Sequence, residues 1–310
     1  MILIGDVMEK LRELPDESVN CIVTSPPYWG LRDYGVEGQI GLEATHEEHA
    51  EVLVQVFREA RRVLREDGTL WLNYGDCYAT KGDSERPGRR RDRESVPGRA
   101  STPGLKPKDL VGMPWRIAFA LQADGWWLRS DIIWSKPNPM PESVTDRPTK
   151  AHEYLFLLAK SPRYYYDADA IRLPHAPKSF TVGTCPVKEG APDNDGGANL
   201  NRWLNETGHG RQLNPKGANR RSVWEVATQP FAGAHFATFP PELIRPCVIA
   251  GCPEGGTVLD PFFGAGTTGL VCDQEGRNWI GIELNPEYAA IAQERLMERQ
   301  NLIPMGGPRT

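Results

Sequence analysis

The chain of 310 residues is long enough for one large catalytic domain and a smaller module inserted in it or appended to it. Hydrophobic residues make up 39% and charged residues 25%, as in ordinary globular proteins, and the net charge of −5 excludes a histone-like polycation while leaving room for a local phosphate-binding face. We find neither an apolar run of membrane-spanning length nor an N-terminal signal segment, so we expect a cytoplasmic protein with no membrane contact.

The first elements predict the start of a parallel α/β sheet. A short strand at Ile2–Ile4 precedes a helix, and the apolar run in Asn20–Thr24 is typical of a buried strand. That strand must end at Ser25-Pro26-Pro27-Tyr28-Trp29-Gly30, because two prolines cannot continue a central strand. A helix over about residues 47–65 and a strand at Thr69–Asn73 complete a strand–helix–strand unit.

Two later segments lack the pattern of a buried core. Residues 80–108 contain nine Lys or Arg against four Asp or Glu and almost no large apolar side chains, which predicts a mobile basic loop. Between this loop and the next irregular segment we expect one helix and two strands, at about 114–123, 129–135 and 152–160. Residues 174–232 are dominated by Gly, Asn, Pro and polar side chains, which we interpret as a separate loop-rich module.

The final segment returns to the α/β pattern. The predicted elements are a helix at Pro240–Ala250, a strand at Thr257–Asp260, a helix at Thr267–Glu275, a strand at Trp279–Ile282 and a helix at Pro286–Arg299. We therefore predict a seven-stranded, mostly parallel sheet with helices on both faces, formed by residues 1–173 and 233–310 and interrupted by the module at 174–232.

The turn after the penultimate predicted strand is the strongest cofactor signal. Gly264, Gly266 and Gly269 match G-x-G-x-x-G, where glycines let the backbone approach a ligand and the helix N-terminus offers free N–H donors. Asp260, just before this turn, would repel a pyrophosphate but attract the ammonium and sulfonium of S-adenosylmethionine. Glu283 ends the next strand, where an acid binds ribose hydroxyls in dinucleotide-binding folds.

The proline-rich loop at residues 25–30 suits methylation of an exocyclic amine. Such an amine is a poor nucleophile because the ring delocalises its lone pair. Two acceptors, the Ser25 hydroxyl and the Pro26 carbonyl, could draw its hydrogens out of plane, and the prolines would hold these acceptors rigidly. Tyr28 offers a ring on which a flipped-out base can stack.

These two motifs, in this order, resemble the amino-methyltransferase family of DNA methyltransferases in its permuted beta arrangement. Ser25, Pro26, Pro27 and Tyr28 match its catalytic S/D/N-P-P-Y/F motif, and Phe262–Gly266 matches its F-x-G-x-G motif. The resemblance covers nearly the whole chain and implies a Rossmann-like fold and methyl transfer from S-adenosylmethionine to a base flipped out of double-stranded DNA. Together, the glycine turn and the resemblance imply the following cofactor-binding residues: Asp6, Phe239, Pro240, Asp260, Phe262, Gly264, Gly266, Thr267, Thr268, Glu283 and Asn285.

The same reasoning suggests residues that contact DNA. Trp29, Lys136 and His152 fall in or beside segments that resemble the lining of the target-base pocket. The module at 174–232 is the candidate target-recognition domain, because Arg and Asn read guanine and adenine edges. Its candidate DNA contacts are Arg202, Arg211, Arg220 and Arg221.

The resemblance favours cytosine N4 as the methylated atom. In this family a serine at the place of Ser25 usually accompanies cytosine N4 methylation, whereas Asp or Asn usually accompanies adenine N6 methylation, which stays an alternative. A restriction endonuclease as partner and a homodimer also stay open.

Other classes fit less well. A carbon-5 methyltransferase needs a Cys nucleophile in the catalytic loop, but the one Pro-Cys step, Pro246-Cys247, falls in a predicted helix. The intact motifs argue against a non-catalytic DNA-binding protein that keeps the fold, and the proline-rich loop argues against an NAD oxidoreductase. The six cysteines and six histidines show no metal-ligand spacing, so we predict no metal.

Overall fold

A computed structural model describes residues 1–80, 102, 104–175, 214–229 and 239–302 of the chain. Two compact units are present, one formed by Met1–Asp167 with Ser222–Thr310 and the other by Ala168–Arg221. Most of the predicted basic loop at 80–108 and most of the predicted module at 174–232 lie outside the described residues. Among the described helices, none has the length and apolarity needed to cross a membrane.

The first unit alternates strands and helices, as the sequence predicts. In chain order its elements are β1 (Ile2–Ile4), α1 (Val7–Glu13), β2 (Val19–Thr24), α2 (His46–Val63), β3 (Leu64–Tyr74), α3 (Met113–Ala123), β4 (Trp127–Ser135), β5 (His152–Ala159), β6 (Val223–Glu225), α4 (Pro241–Gly251), β7 (Thr257–Asp260), α5 (Thr267–Glu275), β8 (Asn278–Glu283) and α6 (Pro286–Leu302). Strand β3 starts at Leu64, earlier than predicted. Residues 65–68 lie at a register shift between β2 and β3, so they do not show the apolar pattern by which a strand is predicted.

The strands form one mixed sheet in the order β1-β8-β7-β2-β3-β5-β4-β6. Neighbours from β1 to β3 run parallel, β5 is antiparallel to both β3 and β4, and β6 is parallel to β4. The sheet therefore has eight described strands rather than the seven that we predicted. The additional strand, β6, is only three residues long, with Trp224 buried between two exposed residues, so it is too short to give a readable pattern.

Helix α2 shows how local sequence sets these elements. Thr45 and Glu48 form a capping box, in which the Thr45 hydroxyl accepts from the Glu48 N–H and the Glu48 carboxylate accepts from the Thr45 N–H. The helix buries an apolar stripe that includes Leu53, Phe57 and Ala60. Spacing of three and four residues places that stripe on one face, which packs on the sheet core.

The order of the strands positions the two motifs. Strand β2 pairs in parallel with β7, with Ile22 opposite Leu259. The carboxyl ends of parallel strands lie at the same edge of a sheet, where open α/β folds bind ligands. The loop that follows β2 and the turn that follows β7 are therefore neighbours, although they are far apart in the sequence.

The described part of the second unit is held together by Arg172. Its guanidinium donates to the Asp169 carboxylate at 2.6 Å, to the Gly217 carbonyl at 3.1 Å and to Asn219 Oδ1 at 2.5 Å. Lys216 also pairs with Asp169 at 2.8 Å. These contacts join the beginning and the end of the unit.

Candidate active site

The residues that precede the two predicted motifs are joined by a direct side-chain hydrogen bond. Thr24 ends β2 and Asp260 ends β7, and Thr24 Oγ1 donates to Asp260 Oδ1 at 2.7 Å. Both side chains are buried. Residues 25–30, the candidate catalytic loop, directly follow Thr24, and residues 261–266, the glycine turn, directly follow Asp260. The bond between Thr24 and Asp260 therefore brings the starts of these two segments together.

Asp260 is only 1% exposed and accepts hydrogen bonds from three neutral donors. Besides Thr24, these are the Thr268 hydroxyl at 2.6 Å and the Phe262 N–H at 3.1 Å. Burial raises the pKa of Asp260 to about 6, because hydrogen bonds from neutral groups only partly offset its desolvation. In the structure these hydrogen bonds hold the glycine turn in position, and the attraction of this carboxylate for a cationic ligand stays a prediction.

The glycines of the turn serve two purposes. Gly264 and Gly266 have φ of 50° and 76°, which L-residues with a side chain rarely adopt. A Cβ added at Gly266 would lie 3.1 Å from Ala292 Cβ, whereas one added at Gly264 would meet no atom of the described residues within 4 Å. Gly266 therefore permits close packing, and Gly264 leaves open space beside the backbone that a ligand could fill.

Glu283 joins the glycine turn to the ends of two more strands. Its carboxylate accepts from the Gly264 N–H at 2.8 Å and from the Asn285 N–H at 2.9 Å, and burial raises its pKa. The Glu283 carbonyl accepts from the Gly5 N–H at 3.0 Å, which brings Asp6 to the same edge. Asp6 Oδ1 caps α1 by accepting from two backbone N–H groups of its first turn.

Other predicted cofactor residues have mainly structural contacts. Thr268 donates to Asp260, and Thr267 Oγ1 accepts from Arg295 at 3.0 Å, so both hydroxyls hold the turn in place. That Thr267 and Thr268 bind the cofactor stays a prediction. Phe239 is buried and Pro240 directly precedes α4; residues 235–238, which the sequence groups with them, lie outside the described residues.

A hydrogen-bonded chain leads away from Ser25 in the catalytic loop. Ser25 Oγ donates to the Tyr28 hydroxyl at 3.4 Å, and that hydroxyl lies 2.9 Å from Glu153 Oε2 and 3.1 Å from Asn73 Oδ1. Asn73 is oriented by its own Nδ2, which donates to the Tyr154 carbonyl at 3.0 Å. Burial, and then the charge of Glu153, raise the pKa of Tyr28 well above its usual value, so the phenol keeps its proton.

Glu153 is held by a cation and by close packing. Lys136 Nζ lies 2.5 Å from Glu153 Oε1 and 4.1 Å from the centre of the Trp134 ring. A Cβ added at Gly75 would lie 2.7 Å from Tyr28 Cε2 and 3.3 Å from Glu153 Cδ. Glycine at this position therefore allows Tyr28 and Glu153 to approach each other.

A second chain of hydrogen bonds fixes the far side of the catalytic loop. The Trp29 N–H donates to the Tyr74 hydroxyl at 2.8 Å, and that hydroxyl lies 2.8 Å from His49 Nε2. His49 Nδ1 lies 2.8 Å from Glu43, whose pKa is lowered by the His49 and Gly41 contacts although burial opposes them. With Nδ1 protonated towards Glu43, Nε2 accepts from Tyr74, and each group in the chain has a partner.

The predicted DNA-contacting residues occupy different environments. Trp29 is 3% exposed, and its indole N–H donates to the Glu43 carbonyl at 3.0 Å, so it is a core residue and its predicted DNA contact is wrong. His152 is exposed at the start of β5, where it packs edge-on against Tyr154. Arg220 and Arg221 belong to the second unit, and Arg202 and Arg211 lie outside the described residues.

Sequence reasoning missed several polar residues that complete the site, namely Thr24, Asn73, Tyr74 and Glu153 as hydrogen-bonding partners. A signal for them exists. Asn73 and Tyr74 end the apolar run of β3, and Glu153 stands at the start of the apolar run of β5. A polar group at the end of a buried strand is costly unless it has a partner, so it marks a site or a network.

Comparison with known proteins also points to the DNA methyltransferases. The family model described as DNA methylase matches residues 19–294. The type II methyltransferase M.Cfr9I from Citrobacter freundii is 52% identical over 96% of this chain and 88% of its own length. M.SmaI from Serratia marcescens, also a type II methyltransferase, is 48% identical over 96% of this chain and 91% of its own length.

A solved structure shares the fold. The protein TTHA0409 from Thermus thermophilus, complexed with S-adenosyl-L-methionine, superposes with a TM-score of 0.57 at 25% identity, covering 96% of this chain and 94% of that one. The predicted methyltransferase fold is thereby confirmed. The family match extends over most of the sequence and the two motifs meet in space, so the chain belongs to the N6/N4 DNA methylase family.

Proposed function

We propose that this DNA methyltransferase transfers a methyl group from S-adenosylmethionine to the exocyclic N4 amine of cytosine in double-stranded DNA. The observation that carries the proposal is the hydrogen bond between Thr24 and Asp260, which places the catalytic loop beside the glycine turn. A direct transfer requires the amine and the methyl donor to be neighbours. The two motifs that would bind them are joined at the edge of the sheet.

The residues around the glycine turn fit S-adenosylmethionine. The open space at Gly264 can accept a ligand against the backbone, and Glu283 keeps acceptor capacity beyond its two backbone hydrogen bonds. The buried charge of Asp260 favours a cationic ligand, since its three hydrogen-bonding partners among the described residues are neutral. The cofactor, when bound, supplies a methyl group attached to a sulfonium.

The catalytic loop would hold the target amine. Pro26 is buried and Pro27 is partly buried, so the Pro26 carbonyl has a fixed direction. The Ser25 oxygen and this carbonyl would accept the two amine hydrogens and free the nitrogen lone pair for attack. In such a transfer the C–N bond would form as the C–S bond of the donor breaks, and the amine would then lose one proton to solvent.

Serine at position 25 supports cytosine as the target base, through the family correlation given above. We further propose that residues 174–232 recognise the DNA sequence. The similarity to type II methyltransferases supports a companion restriction endonuclease.

Methylome sequencing and nucleoside mass spectrometry of DNA from cells expressing the chain test the proposal. We expect N4-methylcytosine at one sequence motif and its loss in Ser25→Ala. Ser18→Ala is the matched control, since Ser18 precedes the same strand at its other end. N6-methyladenine would overturn the choice of base, and no methylation by a folded wild-type chain would support a non-catalytic role.

A further inference from the structure

The Ser25 hydroxyl has an orientation problem that a carboxylate would not have. A hydroxyl carries one proton and two lone pairs, so it can either donate to or accept from a neighbouring amine. An acceptor role requires the proton to point elsewhere. In the structure this proton has a partner, since Ser25 Oγ donates to the Tyr28 hydroxyl at 3.4 Å.

The Tyr28 hydroxyl can receive that proton only if it donates its own to another group. Two acceptors lie within reach, Glu153 Oε2 at 2.9 Å and Asn73 Oδ1 at 3.1 Å. An ionised carboxylate is the stronger acceptor and lies closer. The Tyr28 proton therefore points to Glu153, which leaves the phenol oxygen free to accept from Ser25.

The far end of the chain is fixed by an ion pair. Lys136 Nζ lies 2.5 Å from the other carboxylate oxygen of Glu153, and both side chains are 17% exposed. An ionised carboxylate paired with an ammonium accepts hydrogen bonds but donates none. The direction of every hydrogen bond from Glu153 to Ser25 is thus determined.

We propose that Glu153 is a positioning residue for methyl transfer, which acts through Tyr28 to turn the Ser25 hydroxyl proton away from the target amine. The inference rests on the proposed function of Ser25 as an amine acceptor. Glu153 touches neither the base nor the cofactor in this scheme. Its substitution should therefore slow the chemical step while binding is preserved.

A double-mutant cycle tests this scheme under single-turnover conditions with saturating DNA and S-adenosylmethionine. Glu153→Gln and Tyr28→Phe should each lower the rate by roughly ten- to hundredfold, the effect of losing a hydrogen bond to a charged group. The double variant should be no slower than the slower single variant, because both changes break the same chain. Rate losses that multiply in the double variant would overturn the proposal.

Binding and folding measurements separate this role from a purely structural one. The dissociation constants for DNA and S-adenosylmethionine should stay within about threefold of wild type, since free energy is lost only in the transition state. Glu254→Gln, an exposed glutamate before β7, is the matched control and should leave the rate unchanged. If Glu153→Gln fails to fold, Tyr28→Phe alone decides, and an unchanged rate in that variant would refute the relay.

The nature of the product distinguishes the two proposals. N6-methyladenine from the wild-type chain would contradict the choice of cytosine, while the cycle would still report on the Ser25 hydroxyl. N4-methylcytosine together with multiplicative losses would refute the relay alone.

Discussion

Two shielded carboxylates stand at the same edge of the sheet but are held by opposite kinds of partner. Asp260, beside the glycine turn, accepts from two hydroxyls and a backbone N–H, and its pKa is raised to about 6. Glu153, beside the catalytic loop, is paired with the Lys136 ammonium and accepts from a phenol. Among the described residues, the partners of the Asp260 charge are all neutral, whereas the Glu153 charge is balanced by an ammonium.

This difference indicates two uses of the same functional group. A charge whose partners are neutral creates a potential that a cationic cofactor can use. A charge that is paired with a cation creates little potential for a ligand, but its carboxylate still accepts hydrogen bonds from a fixed direction. Such an acceptor can orient a hydroxyl. On the function proposed above, we expect cofactor binding to depend on charge and the orientation of the base to depend on geometry.

The largest effect is expected from Asp260→Ala. This change leaves the Thr24 and Thr268 hydroxyls and the Phe262 N–H buried without their acceptor, at a cost of about 1–3 kcal/mol each. We expect undetectable methylation and a large fall in the melting temperature.

Asp260→Asn separates charge from hydrogen bonding. It keeps the shape but removes the buried charge, so the chain should fold normally and bind S-adenosylmethionine at least about tenfold more weakly. Calorimetric titration checks this affinity. Binding equal to wild type would show that the cofactor side does not depend on the charge.

Protonation of Asp260 should make both the stability of the protein and its affinity for S-adenosylmethionine depend on pH. We expect this effect to be smaller than that of either Asp260 substitution. The folded-state pKa of Asp260 is about 6 against an ordinary value of 3.8, so the folded protein holds this proton more tightly than the unfolded chain. Stability should therefore fall as the pH rises from about 4 to about 6 and change little above that. A cationic cofactor favours the ionised form, so its dissociation constant should rise as the pH falls below 6, by about tenfold at pH 5.

Calorimetric titration between pH 5 and pH 8 measures this dependence. Asp260→Asn, which has no proton to exchange at this position, should lack it. A wild-type affinity that stays constant across the range would contradict the charge argument.

The sequence predicted the order and type of the main elements because their patterns are local. The buried strands read as short apolar runs, and α2 reads as a capped amphipathic helix. The proline step after Thr24 and the glycine turn mark two segments that the structure brings to the same edge of the sheet. That they form the two halves of the active site stays a prediction. Their meeting in space followed from a general rule about the carboxyl ends of parallel strands.

The hydrogen-bonding partners that the sequence could not predict are determined by contacts across the sheet. The partnership of Tyr28 with Glu153 joins residues that are 125 positions apart, and no local pattern connects them. Trp29 illustrates the opposite error. An aromatic residue in a catalytic motif suggested a DNA contact, but its indole fills the core beneath the loop. Whether a loop side chain points inward or outward is decided by packing, not by its neighbours in sequence.

Two glycine-to-alanine changes compare the two sides of the site directly. In Gly75→Ala the new Cβ would press on Tyr28 Cε2 at 2.7 Å, so we expect a rate loss of about tenfold with normal cofactor binding. In Gly264→Ala the new Cβ meets no atom in the part of the chain that the structure describes, so the structural cost is mainly the strain of φ 50°, about 1–2 kcal/mol. That Cβ would instead enter the proposed cofactor space and weaken binding.

Single-turnover rates and calorimetry on both glycine variants test whether Gly75 affects the rate and Gly264 affects cofactor binding. The comparison between the two sides fails if Gly75→Ala lowers affinity for S-adenosylmethionine as strongly as Gly264→Ala does. It also fails if Gly264→Ala leaves that affinity unchanged.

The smallest effect on catalysis is expected from Tyr74→Phe, which tests the support beneath the catalytic loop. The change leaves the Trp29 N–H and His49 Nε2 without their buried partner and should cost roughly 1–3 kcal/mol of stability. The Tyr74 ring still packs 4.5 Å from the Tyr28 ring, centre to centre, so the rate should fall only about two- to threefold. Tyr164→Phe, which loses a hydrogen bond from Arg129 at an exposed position, is the control and should leave both stability and rate near wild type. If Tyr74→Phe slowed methylation as strongly as Tyr28→Phe, the geometry of the base side would depend on the whole loop support and not on the chain from Ser25 to Glu153.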